Sequence, residues 1–282
     1  MRYKLSYENP IGTVEFSLQS GIIIEKVASL TQQNVKLDTT ASNREIGETL
    51  EHQRVEPKTL AVRGTILGPA DDTRERMVHI LAPLAKGKIV FNDTYELEVY
   101  VKASPDVERY ARDAKFSFTL YAPYPYWRRR EKTQETLVGL KALFSFPWNL
   151  SVPNPFRFSE YVPVGYVTVQ NTGEAPAYWT VTFLAMDEVT RPRIYNMVTG
   201  EYVRILKILD EGEQVVVSTE GEELTVTCIA SDGTVTDGFR YLDIHSTPFK
   251  LAVGENYIKT DAEANDVALR ASISFHPCYV GV

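Results

Sequence analysis

The residues best suited to chemistry in this chain are few, and each lacks a partner that it would need. Asp243 and His245 fall two apart in the short stretch YLDIHS, on one face if it is a strand, the nearest approach to a catalytic or metal-binding pair. A zinc site or a nucleophilic arrangement needs a third group at a usable spacing, and none follows. Glu96 and Glu98 also share one strand face; without a cleft to push their pKa values apart, such carboxylates read as a solvated surface. His52, between Glu51 and Gln53, has no oriented carboxylate or nucleophile beside it and reads as a surface histidine. His79 borders an apolar stripe and reads as a packed or boundary side chain. Cys228 and Cys278 form no CxxC pair and read as buried or idle thiols. There is no phosphate loop, dinucleotide fingerprint or nucleophile elbow. The expectation is a non-enzyme with no catalytic residue, cofactor or metal site.

The elements that would position these residues are mostly strands. Residues 115–130, KFSFTLYAPYPYWRRR, divide the chain: Phe116, Phe118 and Leu120 alternate with polar residues as a strand with one face in a core. Pro123 and Pro125 end it, and Tyr121, Tyr124, Tyr126 and Trp127 lie along an extended exit before Arg128, Arg129 and Arg130. Those arginines read as a solvated cap or a docking edge for another chain. Upstream, Val14, Phe16 and Leu18 form a first strand, and residues 22–27 a second. Residues 30–48 show neither helical nor strand period and read as a long polar loop, of a length that is usually functional or disordered until bound. Leu60, Val62 and Ile66 alternate in a strand where Gly64 marks a bulge or a close backbone approach. Asp71 and Asp72 cap an amphipathic helix with Met77, Ile80, Leu81 and Leu84 on its stripe. Pro83 stops it near Ala82, and Gly87 closes the turn. Tyr95, Leu97, Val99 and Val101 then alternate inward, and a polar loop spans residues 105–113.

Beyond this half, residues 136–161 form an aromatic, Pro-rich connector unlike a flexible Gly/Ser linker. The remainder reads almost wholly as strands: Trp179, Val181 and Phe183 point inward, Thr199 and Gly200 turn a hairpin, residues 215–217 and 224–228 follow, and Asp-Gly turns recur at 232–233 and 237–238. Phe249, Leu251 and Val253 lead into Gly254, and Val267, Leu269, Ala271, Ile273 and Phe275 give a last inward series. Short strands at such spacing predict a β-sandwich.

A length of 282 residues exceeds what one core usually fills, so two domains are expected. No apolar run approaches the roughly 20 residues that span a bilayer, and MRYKLSYENPIGT lacks the apolar core of a signal peptide, so no membrane partner and cytoplasmic synthesis are expected. The net charge of −7 is uneven: 20 Lys and Arg face 19 Asp and Glu up to Glu135, and 10 face 18 beyond it. No clustered basic field suits specific nucleic-acid binding.

Read in order, GETLEHQRVEPKTLAVRGTILG, RERMVHILAPLAKGK, FTLYAPYPYW, FSFPWNLSVPNPFRF, VTVQNTGEAPAYWTVTF, IYNMVTGEYVRI, PFKLAVGENYIKT and the closing YVGV resemble the distal tail protein family of siphophages that infect Gram-positive bacteria. The resemblance covers nearly the whole chain. It implies a mainly β protein: an N-terminal tail-tube-like β domain with one α-helix (residues 1–135, the ring-forming belt), the connector (136–160), and a C-terminal galectin-like β-sandwich (161–282). It further implies a virion tail-tip protein made in the host bacterial cytoplasm. There it would form a hexameric ring, single or back-to-back, joining the tail tube protein to the tail-associated lysin or fibre hub. DNA would pass through the channel without specific binding, and the second domain would carry receptor-binding components. The rival expectation is a carbohydrate-binding host-recognition protein, with Tyr178, Trp179, Tyr202 and Tyr241 as stacking candidates, although Trp179 falls in the inward phase. Which domain takes the last strand is left open.

Overall fold

The structure, a computed structural model, describes residues 4–41, 46–68, 71–108, 113–137, 139–142, 159–162, 165–221 and 224–282. Two compact units divide the chain, Met1–Glu131 with Cys278–Val282 and Lys132–Pro277.

In the first unit the strands are β1 (Leu5–Asn9), β2 (Gly12–Phe16), β3 (Ile22–Val27), β4 (Val35–Thr40), β5 (Thr49–Val55) and β6 (Lys58–Ile66), followed by helix α1 (Asp71–Ile80) and then β7 (Lys86–Phe91), β8 (Tyr95–Val107), β9 (Ala114–Ala122) and β10 (Trp127–Arg129). An antiparallel sheet runs in the order β2-β1-β7-β8-β9-β6-β3. Its spine is the β6–β9 ladder, in unbroken register from Lys58 opposite Ala122 to Ile66 opposite Ala114. The period-two pattern puts Leu60, Val62, Phe116, Phe118 and Leu120 on one buried face, where Phe16 stacks on both phenylalanines. Leu18, expected to extend the first strand, is exposed because β2 ends at Phe16.

Gly64 is a close approach, and the bulge lies in its neighbour. A Cβ on Gly64 would sit 2.1 Å from the Ile23 carbonyl oxygen and 2.6 Å from Phe116 Cζ, while the register of β3 shifts between Ile24 and Lys26. Helix α1 carries Asp71 and Asp72 in its first turn and buries Met77 and Ile80. It stops at Ile80, two residues before the expected end, and Asn9 Nδ2 donates to the Ile80 carbonyl at 2.8 Å. Gly87 does not close that turn: Leu84 makes it at φ 62°, and Gly87 lies in β7, where a Cβ would stand 2.5 Å from Tyr7 Oη.

The second unit contains β11 (Thr133–Thr136), β12 (Gly139–Ala142), β13 (Ser159–Val162), β14 (Val167–Asn171), β15 (Trp179–Ala185), β16 (Val189–Thr190), β17 (Arg193–Asn196), β18 (Tyr202–Arg204), β19 (Ile208–Leu209), β20 (Gln214–Ser218), β21 (Thr225–Ile229), β22 (Val235–Asp237), β23 (Gly254–Asp261) and β24 (Leu269–Phe275). One sheet runs β11-β24-β15-β20-β21-β22 and another β14-β23-β17-β18. Trp179, Val181, Phe183, Ile273 and Phe275 are fully buried with Val203 and Ile258, the core of a β-sandwich. Trp179 Nε1 donates to the Phe249 carbonyl at 2.8 Å, which satisfies its one polar atom. Val267, expected inward, is exposed, because a short 3-10 turn at Asp266–Ala268 precedes β24. Most of the aromatic connector lies outside the described residues; its ends pair as β12 with β13.

Gly64→Ala forces a Cβ against backbone that cannot move without breaking the β3–β6 pairing. It should cost about 2–3 kcal/mol, read as a lowered urea midpoint; a midpoint equal to wild type would show that β3 yields freely.

Candidate assembly surface

The stretch expected as a polar loop is instead a β-hairpin. Strands β4 and β5 pair with each other from Val35 opposite Val55 to Thr40 opposite Thr49, and every residue of both is exposed. Paired residues share a face, so Val35, Val55 and Leu37 fall on one side, and Lys36, Arg54, Asp38 and His52 on the other. The register then shifts between Asp38 and Thr39, passing over Glu51. That extra residue turns Leu50 opposite Thr39, onto the side of Val35 and Leu37; without the bulge it would lie with the charged residues. The result is an apolar stripe on one face of a solvated arm, with Val35 51%, Leu37 56%, Leu50 48% and Val55 40% exposed. Covering the remaining area of these four side chains is worth about 3–6 kcal/mol. A two-stranded ribbon is marginal alone in water, so covering this stripe would stabilise the arm.

The base of the hairpin is held by a polar clamp. Lys58, only 3% exposed, donates from Nζ to the Val280 carbonyl at 2.8 Å and to the Leu30 carbonyl at 3.4 Å. The fully buried Trp127 donates from Nε1 to the same Leu30 carbonyl at 3.1 Å. Glu56 N–H donates to the Asn34 carbonyl at 2.9 Å and closes the neck. The terminal strand Cys278–Tyr279 answers the question left open by the sequence: it pairs with β10, which also pairs with β8. Tyr279 packs edge-on against Tyr95 at 5.3 Å between ring centres. Burial lowers the Lys58 ammonium to about 8.

Beside the clamp, the carboxylates expected to be solvated are covered. Pairing of β10 with β8 lays Arg128 over Glu96 and Glu98, with Nη2 2.6 Å from Glu98 and 3.4 Å from Glu96. Glu96 is buried and also meets Lys88 at 2.9 Å and Arg130 at 3.8 Å. Burial works to raise the Glu98 carboxyl, but Arg128, with Lys86 and Lys88, overrides it and leaves it below the usual carboxylate range. Arg128 is thus neither cap nor docking edge; it balances carboxylates within its own unit.

Residues 172–279 match the family model described as the siphovirus-type tail component, C-terminal domain. The resemblance to siphophage distal tail proteins is borne out by this match and by the whole-chain likeness of fold. The crystal structure of the phage SPP1 Dit protein, titled a paradigm of hub adsorption apparatus in Gram-positive infecting phages, is similar over 99% of both chains, with 13% identity and a TM-score of 0.68. A chain of the phage P2 baseplate in its activated conformation with Ca matches over all of both chains at 11% identity and a TM-score of 0.55. Its counterpart with Sr does so at 10% and 0.55. At these identities the whole-chain likeness is one of fold. No curated protein matches by sequence.

The remaining candidates for chemistry are dispersed over the chain. Asp243 and His245 do not lie on a strand: Asp243 is buried and gripped by Arg204 through Nε at 2.8 Å and Nη2 at 2.5 Å, and His245 is exposed in the following turn. The His245 amide and then Arg204 hold the Asp243 carboxyl below its usual range. His52 faces Asp38 across the hairpin. His79 lies in the last turn of α1, exposed. Both cysteines are buried, in different units, and burial pushes the Cys228 thiol up. Among the described residues, no group of three or more His, Cys, Asp or Glu is placed to hold a metal ion, and no helix is long and apolar enough to cross a membrane. The sequence reading missed Lys58 and Trp127 as clamp residues. The one available signal was a lysine opening an otherwise apolar alternation.

Because the folded state releases the Lys58 proton near pH 8 and the unfolded chain retains it to about 10.5, the unfolded state binds more protons between those values. Stability should therefore rise with pH across that window. Lys58→Met removes this component, so the wild-type minus variant difference in urea midpoint should grow from pH 8 to pH 10; a constant difference would refute the assignment.

Proposed function

We propose that this chain is an architectural subunit of a siphophage tail tip that closes into a six-fold ring through its first unit, with the β4–β5 hairpin of each copy lying on the next. The observation that carries this reading is the hairpin itself: an arm with Val35, Leu37, Leu50 and Val55 exposed on one face and, among the described residues, nothing of its own fold covering them. A head-to-tail contact between identical copies closes only when the rotation per copy completes a circle, and an arm on a clamped base sets that rotation. A ring, single or back-to-back, would seat on the tail tube protein and receive the tail-associated lysin or fibre hub. DNA would pass through the channel without specific binding, consistent with the near balance of charge up to Glu135. In this reading the second unit, the galectin-like sandwich of the family, carries host-adhesion components. The protein works by contact, not by catalysis, at the virion tip, after synthesis in the host cytoplasm.

Native mass spectrometry and electron microscopy of the purified chain test the reading. The wild-type chain should give annular hexamers, and Leu37→Asp with Leu50→Asp should give folded monomers, because two carboxylates replace the centre of the stripe. Wild-type chain that stays monomeric at high concentration, or a double variant that still closes rings, would overturn the assignment of the hairpin.

A further inference from the structure

The outer face of the β14-β23-β17-β18 sheet has a chemistry that the sandwich does not use. Alternation buries Ile194, Asn196, Val203, Asn256 and Ile258 on the inner side, which turns Arg193, Tyr195, Tyr202, Arg204, Tyr257 and Asp261 outward. Register sets Tyr195 beside Tyr202, Arg193 between Arg204 and Asp261, and Tyr257 opposite Thr168. Tyr166 meets Tyr257 edge-on, with ring centres 5.3 Å apart. Arg193 reaches toward the rings of both Tyr195 and Tyr202, its guanidinium carbon 5.9 and 6.0 Å from their centres, and Arg204 lies 5.9 Å from Tyr202.

Charge selects the occupant. Arg193 is held bidentately by Asp261 at 2.8 and 2.9 Å, and Arg204 by the buried Asp243. Asp261 also meets Lys259 at 3.5 Å, and with Glu255 on the same face Arg193, Arg204 and Lys259 are balanced by Asp261, Asp243 and Glu255, so the face has no net positive charge to favour a phosphate. Its other outward strand positions are Thr168, Gln170, Glu255 and Lys259, with no aliphatic side chain among them. Tyrosine and arginine are common at protein interfaces as well, but Lys, Glu and Asp are depleted there and this face has no aliphatic side chain to form an apolar centre. Both guanidiniums keep unused N–H donors and Asp261 keeps acceptor sites, since a guanidinium has five N–H groups and a carboxylate about four acceptor sites; the buried Asp243 offers none to the surface. Rings for C–H faces, with donors and acceptors alternating between them, suit a ligand rich in hydroxyls.

We propose that this face binds a neutral glycan laid across the strands, its sugar rings on Tyr202 and Tyr195 and, two residues along β23 from the Lys259 opposite Tyr195, on Tyr257, with its hydroxyls on Arg204 and on the Arg193–Asp261 pair. Strand spacing of about 4.8 Å separates the contact rows by roughly one sugar unit. The site differs from the one expected in the sequence. Of the four stacking candidates only Tyr202 lies on it. Trp179 is wholly buried, Tyr178 precedes β15, and Tyr241 lies in the short 3-10 turn Phe239–Tyr241, none of them on this sheet face. The proposal stands independently of ring formation, although multiple copies would strengthen weak single contacts.

The test is binding of the full chain to an array of neutral hexose and N-acetylhexosamine oligomers alongside phosphate- and carboxylate-bearing glycans. Neutral oligomers should bind, and Tyr195→Ala with Tyr202→Ala should weaken them about tenfold or more with an unchanged unfolding midpoint. Should that variant fold poorly, Thr168→Trp decides the matter by filling the face without removing a packed ring, and it should cost binding similarly. Binding confined to the anionic glycans, no binding to any glycan, or full binding by the blocked variant would each overturn the proposal.

Discussion

Two N–H donors converging on the carbonyl of Leu30 hold the first unit's working parts in place. Lys58 and Trp127 both donate to it, and Lys58 also takes the Val280 carbonyl. Lys58 is the first residue of the β6–β9 ladder, Trp127 opens β10, and Leu30 leads into the hairpin. The buried Lys58 ammonium and Trp127 indole would each lose a partner if the Leu30 carbonyl moved away, and a buried donor left unpaired costs more than a typical hydrogen bond returns, so these segments are fixed together or all are loosened. The terminal strand is thereby part of the support for the hairpin, although it is about 220 residues away along the chain.

Rigidity at the base gives the amphipathic arm its meaning. The bulge that passes over Glu51 places Leu50 beside Leu37, and one residue more or less in β5 would scatter the apolar side chains over both faces. A loose loop could bury the same residues against many surfaces; a ribbon with one apolar side, rising from a clamped neck, can bury them in one direction. Such directionality lets repeated copies meet at a constant angle.

The second unit separates its tasks by face. Its inner side is closed by Trp179, Phe183 and Phe275, with the indole N–H already satisfied, so nothing there is left to recognise a ligand. The outer side of β17, β18 and β23 instead keeps tyrosines and arginines whose charges are matched by Asp261 and Asp243. The buried Asp243 therefore supports a surface guanidinium and has no catalytic geometry.

The period-two alternation of Phe116, Phe118 and Leu120, or of Trp179, Val181 and Phe183, was enough to place those strands and their buried faces, because a side chain's face in a strand depends only on parity. The amphipathic helix was legible for a similar reason. The linear order of weak motifs was enough to suggest the distal tail family. The hairpin was not legible: both of its faces are exposed, so no burial pattern marks it, and its stripe exists only once a bulge resets the register. Nor could local sequence show that Glu96 is covered, since β10 reaches it after some thirty residues. Sequence by itself determined which side chains face a core, a matter of local geometry. Tertiary structure alone decided which polar groups meet, because Lys58 with Val280, Arg128 with Glu98 and Arg193 with Asp261 are neighbours only through strand pairing between distant segments.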